Sequence, residues 1–136
     1  MKITICGSMY FAKEMLEIKQ KLEEVDNFVI VASTVYDCLK NPELNMNLKY
    51  CLEKDTMQGH FNNISESDAI LVLNYEKNGI QGYVGGSVLM EMAVAKHLNK
   101  KIFLLYPPPK IEDLRYSLEI QLTKPVVLNG DLTKIS

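Results

Sequence analysis

Glu91 is the residue of greatest chemical interest, and it lies in the stretch GYVGGSVLMEMAVAKH at 82–97. It is the only charged residue from 80 to 95, a segment whose apolar side chains predict a helix built for burial. An ionised carboxylate among apolar groups costs several kcal/mol unless it is paired or hydrogen-bonded. Glu91 therefore either has a structural partner, such as backbone N–H groups, Lys13 or a neighbouring subunit, or it lines a cleft. In a cleft, the helix N-terminus would lower its pKa and keep it ionised, and Ser87 would share its face.

Two glycine-containing loops are candidates for contact with a ligand. Gly85 and Gly86 precede this helix, so their N–H groups can close around an anion with the Ser87 hydroxyl beside them. The spacing is neither the dinucleotide-binding nor the P-loop fingerprint, and a plain flexible loop explains the glycines equally well. Gly7 and Ser8 follow the first strand, where a glycine permits either close approach of a ligand or simply a tight turn.

The other reactive side chains predict no familiar catalytic or metal centre. His60 lies in a helical segment, where a half-buried structural histidine is the simplest interpretation. Cys6, Cys38 and Cys51 are widely spaced and form no C-x-x-C pair, so neither a disulfide framework nor a zinc site is expected. No Ser/His/Asp order, H-E-x-x-H motif or acidic cluster occurs. We therefore expect no metal and no cofactor, and no hydrolysis by a serine triad or by zinc.

Alternating strand and helix signals must position these residues. Apolar runs predict strands at 3–6, 28–33, 69–74, 101–106 and within 125–135. Apolar residues at spacings of three and four predict helices over about 11–25, 48–67 and 87–98, with loops at 34–47 and 75–86. Continuous apolar strands are covered on both faces, so we predict a Rossmann-like or flavodoxin-like α/β fold, a doubly wound sheet of about five mainly parallel strands. Ligands bind such sheets outside the carboxyl ends of the strands.

Composition indicates one ordinary globular domain spanning 1–136. The formal charge is −2 and 47% of the residues are hydrophobic, so a nucleic-acid polymer is a poor candidate partner. The N-terminal MKITICGS is no signal peptide, and no apolar run approaches the ~20 residues of a membrane helix. We predict a cytoplasmic protein that acts on a small molecule and does not bind a membrane.

Three stretches resemble the nucleoside 2-deoxyribosyltransferase superfamily, which includes the 2′-deoxynucleoside 5′-phosphate N-hydrolases. These stretches are GSM after the first strand, DAILVLN at the third, and GGSVLMEMAVA at the helix start. The resemblance covers Lys2 to about Tyr106. It implies cleavage or transfer of the N-glycosidic bond of a (deoxy)nucleoside or nucleoside 5′-monophosphate. It also implies a homodimer or higher homo-oligomer, because relatives complete their pockets with a neighbouring subunit.

The same resemblance implies a role for each site residue. Glu91 would be the nucleophile that attacks the anomeric carbon, as in a retaining glycosidase. His60 stands where relatives carry an aspartate, eight residues before Asp68, and would protonate the departing base. Asn74 stands where transferases often carry a second carboxylate. The other residues implied to contact the substrate are Gly7, Ser8, Met9, Tyr10, Gly85, Gly86 and Ser87.

A non-catalytic nucleotide-binding protein, acting as a sensor or a partner subunit, is the alternative function, and an enzyme that acts on some other ribosylated metabolite is a third possibility. The arginine that phosphate-using relatives carry after the first glycine loop is missing, and Tyr10 and Lys13 stand nearby. Glu91 distinguishes the two functions. An enzyme would lose all activity as Glu91→Gln and still bind its ligand, whereas a binding protein would change little.

Overall fold

Five parallel strands with helices on both faces form the fold, which confirms the predicted doubly wound α/β class. A computed structural model describes all residues from Met1 to Ser136. The strands are β1 Lys2–Cys6, β2 Phe28–Ile30, β3 Ala69–Val72, β4 Lys101–Leu104 and β5 Val126–Val127. Their order across the sheet is β2-β1-β3-β4-β5, and every neighbouring pair is parallel. This is the flavodoxin-like order, whose winding reverses between β1 and β3.

Six α-helices connect and cover the strands. They are α1 Ala12–Glu23, α2 Val35–Lys40, α3 Leu48–Lys54, α4 Thr56–Ser65, α5 Gly86–His97 and α6 Ser117–Leu122. Short 3-10 helices lie at Met9–Phe11, Pro42–Met46 and Leu132–Lys134. None of the helices combines the length and the apolar character that crossing a membrane requires.

The prediction between 34 and 67 is wrong in two places. The segment 34–47, predicted as a loop, contains α2 and a 3-10 helix that begins at Pro42, whose fixed φ suits a first helical position. The single helix predicted over 48–67 is two helices, because Asp55 between them adopts a left-handed conformation with φ of 46°. The short helix α6 also lies outside the predicted elements.

Apolar side chains cover both faces of the sheet. Successive side chains of β1 point to opposite faces, and this alternation determines which helices each residue faces. Ile3 and Ile5 pack into a core layer that includes the buried side of α1. Cys6 joins the opposite layer, which contains Ile64 of α4 and Met92 of α5. Since successive strand residues point to opposite faces, the last residue of β1 faces α4 and α5 at the carboxyl edge of the sheet.

Candidate functional site

Two adjoining cavities lie where the winding of the sheet reverses, outside the carboxyl ends of β1 and β3. The first, which we call the Glu91 cavity, has a volume of about 240 Å³ and is lined by residues of α2, α3, α4 and α5. The second, the Lys77 cavity, has a volume of about 210 Å³ and lies against the N-terminus of α5. Gly7, Asn45 and Ser87 line both cavities. The two cavities therefore adjoin at these three residues.

Helices α4 and α5 bring His60 and Glu91 together in the Glu91 cavity. Helix α4 leads into the amino end of β3, so it begins at the carboxyl edge, and α5 begins at that same edge after β3. His60 and Glu91 lie in the second turns of these two helices, which pack against each other. His60 Nε2 lies 3.7 Å from Glu91 Oε2, and the two side chains are only 7% and 14% exposed. Ser87 lies one turn before Glu91 and lines the same cavity, as its spacing predicts.

Burial controls the charge of this pair. It raises the pKa of Glu91 to about 8, which is opposite to the lowering expected from the helix N-terminus. The helix dipole has less effect on this pKa than burial does, because its influence fades within the first turn and Glu91 is the sixth residue of α5. The same burial lowers the pKa of His60 to about 4. At neutral pH Glu91 is therefore protonated and His60 is a neutral imidazole, so the pair holds one titratable proton and carries no net charge.

Cys6 is the third polar group of this cluster. Ligand-forming atoms of Cys6, His60 and Glu91 all lie within 4.8 Å of one another. Burial, together with the neighbouring Glu91 carboxyl, raises the pKa of the Cys6 thiol well above its usual value. No protein atom forms a hydrogen bond with His60 Nδ1 or Glu91 Oε2, although both atoms are buried. The cluster is thus incompletely satisfied within the protein itself.

Lys77 provides a cation at the adjoining cavity. Its Nζ donates a hydrogen bond to Ser8 Oγ at 3.1 Å and lies 5.8 Å from the ring centroids of both Tyr10 and Tyr83. It forms no ion pair with any carboxylate. Its charge is therefore not neutralised within the protein.

A tight turn fixes the backbone of Lys77. Lys77 and Ile80 exchange backbone hydrogen bonds of 3.2 and 3.0 Å across Asn78 and Gly79. Both central residues have positive φ, at 54° and 74°, which is typical of the two-residue turns of hairpins.

Further along the loop, Gly82 has φ of 72°, and a Cβ there would collide with the Pro107 carbonyl oxygen, so only glycine fits.

The N-terminus of α5 adds hydrogen-bond donors to the Lys77 cavity. Gly85 is the N-cap residue, and no side chain caps the helix, which leaves its first N–H groups available. A Cβ at Gly86 would meet no atom within 4 Å, so the space beside the helix start is open. With the Ser8 and Ser87 hydroxyls and Lys77, this end of the site has the chemistry of an anion-binding pocket.

The structure brings most of the predicted site residues together. Gly7, Met9, His60, Ser87 and Glu91 line the Glu91 cavity. The residues of the prediction that line the Lys77 cavity are Gly7, Ser8, Gly85, Gly86 and Ser87. At Gly7 the missing side chain also serves packing, since a Cβ would lie 3.3 Å from the Leu73 carbonyl oxygen.

Asn74 and Tyr10 lie outside both cavities. Asn74 is fully buried, and its side chain is engaged by the chain after β4. Its Oδ1 accepts a hydrogen bond from the Tyr106 N–H at 2.9 Å, while its Nδ2 donates to the Tyr106 carbonyl at 2.8 Å. Tyr10 is 63% exposed. Asn74 thus holds two loops together at the edge of the sheet, and Tyr10 only borders Lys77.

Sequence reasoning missed several lining residues. Lys77 is the only basic residue in the loop 75–86, and a lone cation beside a glycine-rich helix start was a usable signal. Cys6 lines neither cavity, but the strand alternation places it on the sheet face that α4 and α5 cover. Tyr50 and Cys51 line the Glu91 cavity from α3, and nothing in the sequence indicates that this segment folds over the site.

No protein-family model matches the chain, and no curated protein matches it either. The resemblance to the nucleoside 2-deoxyribosyltransferase superfamily therefore stays a prediction. What the residues can do follows from their geometry, which is that of a buried acid–imidazole pair next to an anion-binding pocket.

Proposed function

We propose that this protein cleaves or transfers the N-glycosidic bond of a nucleoside or nucleoside 5′-monophosphate, with Glu91 as nucleophile and His60 as acid. The observation that carries the proposal is the buried Glu91–His60 pair, 3.7 Å apart in a cavity that adjoins an anion-binding pocket. Breaking an N-glycosidic bond needs a nucleophile or charge stabiliser at the anomeric carbon and a proton for the departing base. The pair provides both functions.

The single proton of the pair makes the reaction possible at neutral pH. A protonated Glu91 is no nucleophile, but transfer of its proton to His60 creates a carboxylate and an imidazolium in one step. The net charge of the cavity does not change, so burial opposes this transfer less than it opposes ionisation of either group alone. The growing positive charge on the sugar further favours the carboxylate.

Atoms and protons balance through the two half-reactions. A Glu91 oxygen forms a bond to the anomeric carbon as the bond from this carbon to the base nitrogen breaks. The electron pair of the broken bond stays on the base nitrogen. The base nitrogen takes the proton from the His60 imidazolium. Water then attacks the anomeric carbon, releases the Glu91 carboxylate and returns one proton to the pair. A second base in place of water gives transfer instead of hydrolysis.

The Lys77 cavity supports a 5′-monophosphate as part of the substrate. A phosphate there would meet the Lys77 ammonium, the Ser8 and Ser87 hydroxyls and the N–H groups at the start of α5. The sugar would then lie near Gly7 and Ser87, which line both cavities, with the anomeric carbon toward Glu91.

A second copy of the chain is the proposed partner. Large apolar side chains more than half exposed lie on the segments that line the two cavities, α2, the 3-10 helix Pro42–Met46, α3 and α4; they are Tyr36, Met46, Leu48, Leu52 and Met57. Exposed apolar side chains that cluster in this way are typical of an interaction site. We expect a dimer by light scattering, and a monomer with little activity when Leu48 and Leu52 are both replaced by lysine. A wild-type monomer at micromolar concentration would refute this part.

The decisive experiment measures release of free base from ribo- and deoxynucleosides and their 5′-monophosphates by chromatography. Wild type, Glu91→Gln and Glu119→Gln are compared with and without an acceptor base. Glu119 is exposed on α6 and provides a matched carboxylate control. We expect release by the wild type and the control and none by Glu91→Gln. A Glu91→Gln variant that matches the wild type would eliminate the proposed mechanism.

A nucleotide-binding sensor is the second candidate function. The observation that favours it is the raised pKa of Glu91, since an uncharged carboxyl can simply donate a hydrogen bond to a ligand. Monophosphate binding without release of base from any compound, unchanged in Glu91→Gln, would establish this candidate and exclude the enzyme.

A further inference from the structure

Three potential metal ligands converge from three separate elements beside the Glu91 cavity, which His60 and Glu91 line and the fully buried Cys6 does not. Cys6 ends β1, His60 lies on α4 and Glu91 lies on α5, and their ligand atoms are all within 4.8 Å of one another. Glu91 Oε2, the carboxylate oxygen 3.7 Å from His60 Nε2, is buried without a hydrogen-bond partner in the protein. Native structures rarely leave buried polar atoms in this state, and a bound ion is one of the few explanations. The Glu91 side chain is only 14% exposed, so this unpartnered oxygen is well shielded from solvent.

The donor set selects a particular class of cation. Thiolate, imidazole and carboxylate are the three ligand types of zinc sites, whereas calcium and magnesium prefer oxygen ligands alone. Ligands of a tetrahedral Zn²⁺ lie about 3.3–3.6 Å apart, given bonds of roughly 2.0–2.3 Å. The 3.7 Å between His60 Nε2 and Glu91 Oε2 is already close to that spacing. The third ligand atom, the Cys6 sulfur, lies within 4.8 Å of the other two.

Charge balance also fits a divalent cation. A Cys6 thiolate and a Glu91 carboxylate supply two negative charges, and a neutral His60 supplies none. Binding of one divalent cation releases the thiol and carboxyl protons and leaves an electrically neutral cluster, which a buried site favours. Three protein ligands leave the fourth position of a tetrahedral ion for water.

We infer that Cys6, His60 and Glu91 bind one thiophilic divalent cation of the Zn²⁺ class, and that the bound cation inhibits the protein. The inhibition rests on the proposed function, because the cation occupies the nucleophile and the acid at once. The binding itself does not. The sequence predicts no metal because the three ligands are 54 and 31 positions apart along the chain, and only the fold joins them.

The binding is tested with Co²⁺ and Zn²⁺ alone on chelator-treated protein. We expect one Co²⁺ per chain, a thiolate-to-cobalt charge-transfer band, and displacement of Co²⁺ by Zn²⁺. Cys6→Ser should remove the band, and His60→Gln and Glu91→Gln should each weaken affinity at least about tenfold. Cys38→Ser and Cys51→Ser are the matched controls, since both thiols line the Glu91 cavity and are the rivals of Cys6, and each variant should retain the band.

Several results would overturn the site. A wild-type protein without a cobalt–thiolate band would do so, as would a band that survives in Cys6→Ser and disappears in Cys51→Ser. If Cys6→Ser fails to fold, by circular dichroism, unaltered Co²⁺ affinity in both glutamine variants would overturn it instead.

Inhibition is measured separately, by release of base at the Zn²⁺ concentration that saturates the site. We expect loss of release and full recovery on chelation. Binding without inhibition would refute only the inhibitory role, and a protein with no release at all would refute the proposed function while the cobalt titration still tests the site.

Discussion

Replacement of Glu91 by glutamine should stabilise the protein at neutral pH while it abolishes activity. In the unfolded chain the Glu91 carboxyl has its ordinary pKa of 4.5, whereas burial in the folded protein raises this pKa to about 8. Folding at pH 7 must therefore protonate the carboxyl, which lowers the free energy of unfolding by about 3 kcal/mol, since each unit of pKa difference corresponds to about 1.36 kcal/mol. A glutamine amide of the same shape needs no proton.

The sign of this effect fixes its pH dependence. A carboxyl with a raised folded-state pKa contributes its full stability below pH 4.5, and that contribution is lost as the pH rises toward 8. At pH 5 the cost of protonation is about 1 kcal/mol, so the advantage of Glu91→Gln should shrink by about 2 to 3 kcal/mol between pH 7 and pH 5. The burial of the amide itself is the same at both values, so this difference isolates the carboxyl.

Urea denaturation of wild type, Glu91→Gln and the exposed-site control Glu119→Gln at both pH values measures the effect. A chelator keeps cations away from Glu91, and linear extrapolation gives the free energy of unfolding of each protein. A Glu91→Gln protein that is no more stable than wild type at pH 7 would refute the reasoning. A stability difference that does not change with pH would show that packing, and not protonation, is responsible.

Three further predictions concern the pair and the adjoining loop. Base release should follow a bell-shaped pH profile with limbs near 4 and 8. Below pH 4 the pair gains a second titratable proton on His60, and above pH 8 it loses the proton of Glu91. A profile that is flat from pH 5 to 10 would contradict this prediction. Lys77→Gln should lower kcat/KM for 5′-monophosphates at least about tenfold and leave unphosphorylated nucleosides nearly unchanged, which steady-state kinetics on both substrates will compare. Gly82→Ala should lower the free energy of unfolding, measured by urea denaturation, by about 3 kcal/mol, because the position combines a positive φ with a collision between the new Cβ and the facing backbone. Gly79→Ala, which has a positive φ but open space around the Cβ, should lower it by about 1 kcal/mol.

The strands could be predicted from sequence because their signal is local. Segment 69–74 is apolar on every residue up to Asn74, and a run of that kind needs cover on both faces wherever it lies in the chain. Even the two-residue strand β5 was within reach, because Asn129 and Gly130 mark the turn that follows it, and both adopt positive φ. The parallel sheet and the location of the site at its carboxyl edge follow from this alternation alone.

The region from 34 to 67 could not be predicted in the same way, because its structure depends on contacts and on one unusual backbone conformation. Aspartate tolerates the left-handed conformation but seldom adopts it. The helical pattern of apolar residues continues through Asp55, so the sequence does not predict that the helix ends there. This break separates α3 from α4, and Tyr50 and Cys51 of α3 line the Glu91 cavity. The part of the cavity lining that α3 contributes is therefore determined by tertiary structure and not by the local sequence.

The charge of Glu91 shows most clearly what sequence alone cannot provide. Local reasoning weighs the helix dipole, which is worth at most about 2 kcal/mol and fades within one turn. The burial that outweighs it comes from β1 and α4, which are distant in sequence and contribute Cys6 and His60. Because these neighbours offer neither a fixed cation nor enough hydrogen bonds, the carboxyl keeps its proton, at a cost to stability that no structural role requires. That cost is the strongest physical reason to place the function of the protein at this cluster, whether its ligand is a sugar or a metal ion.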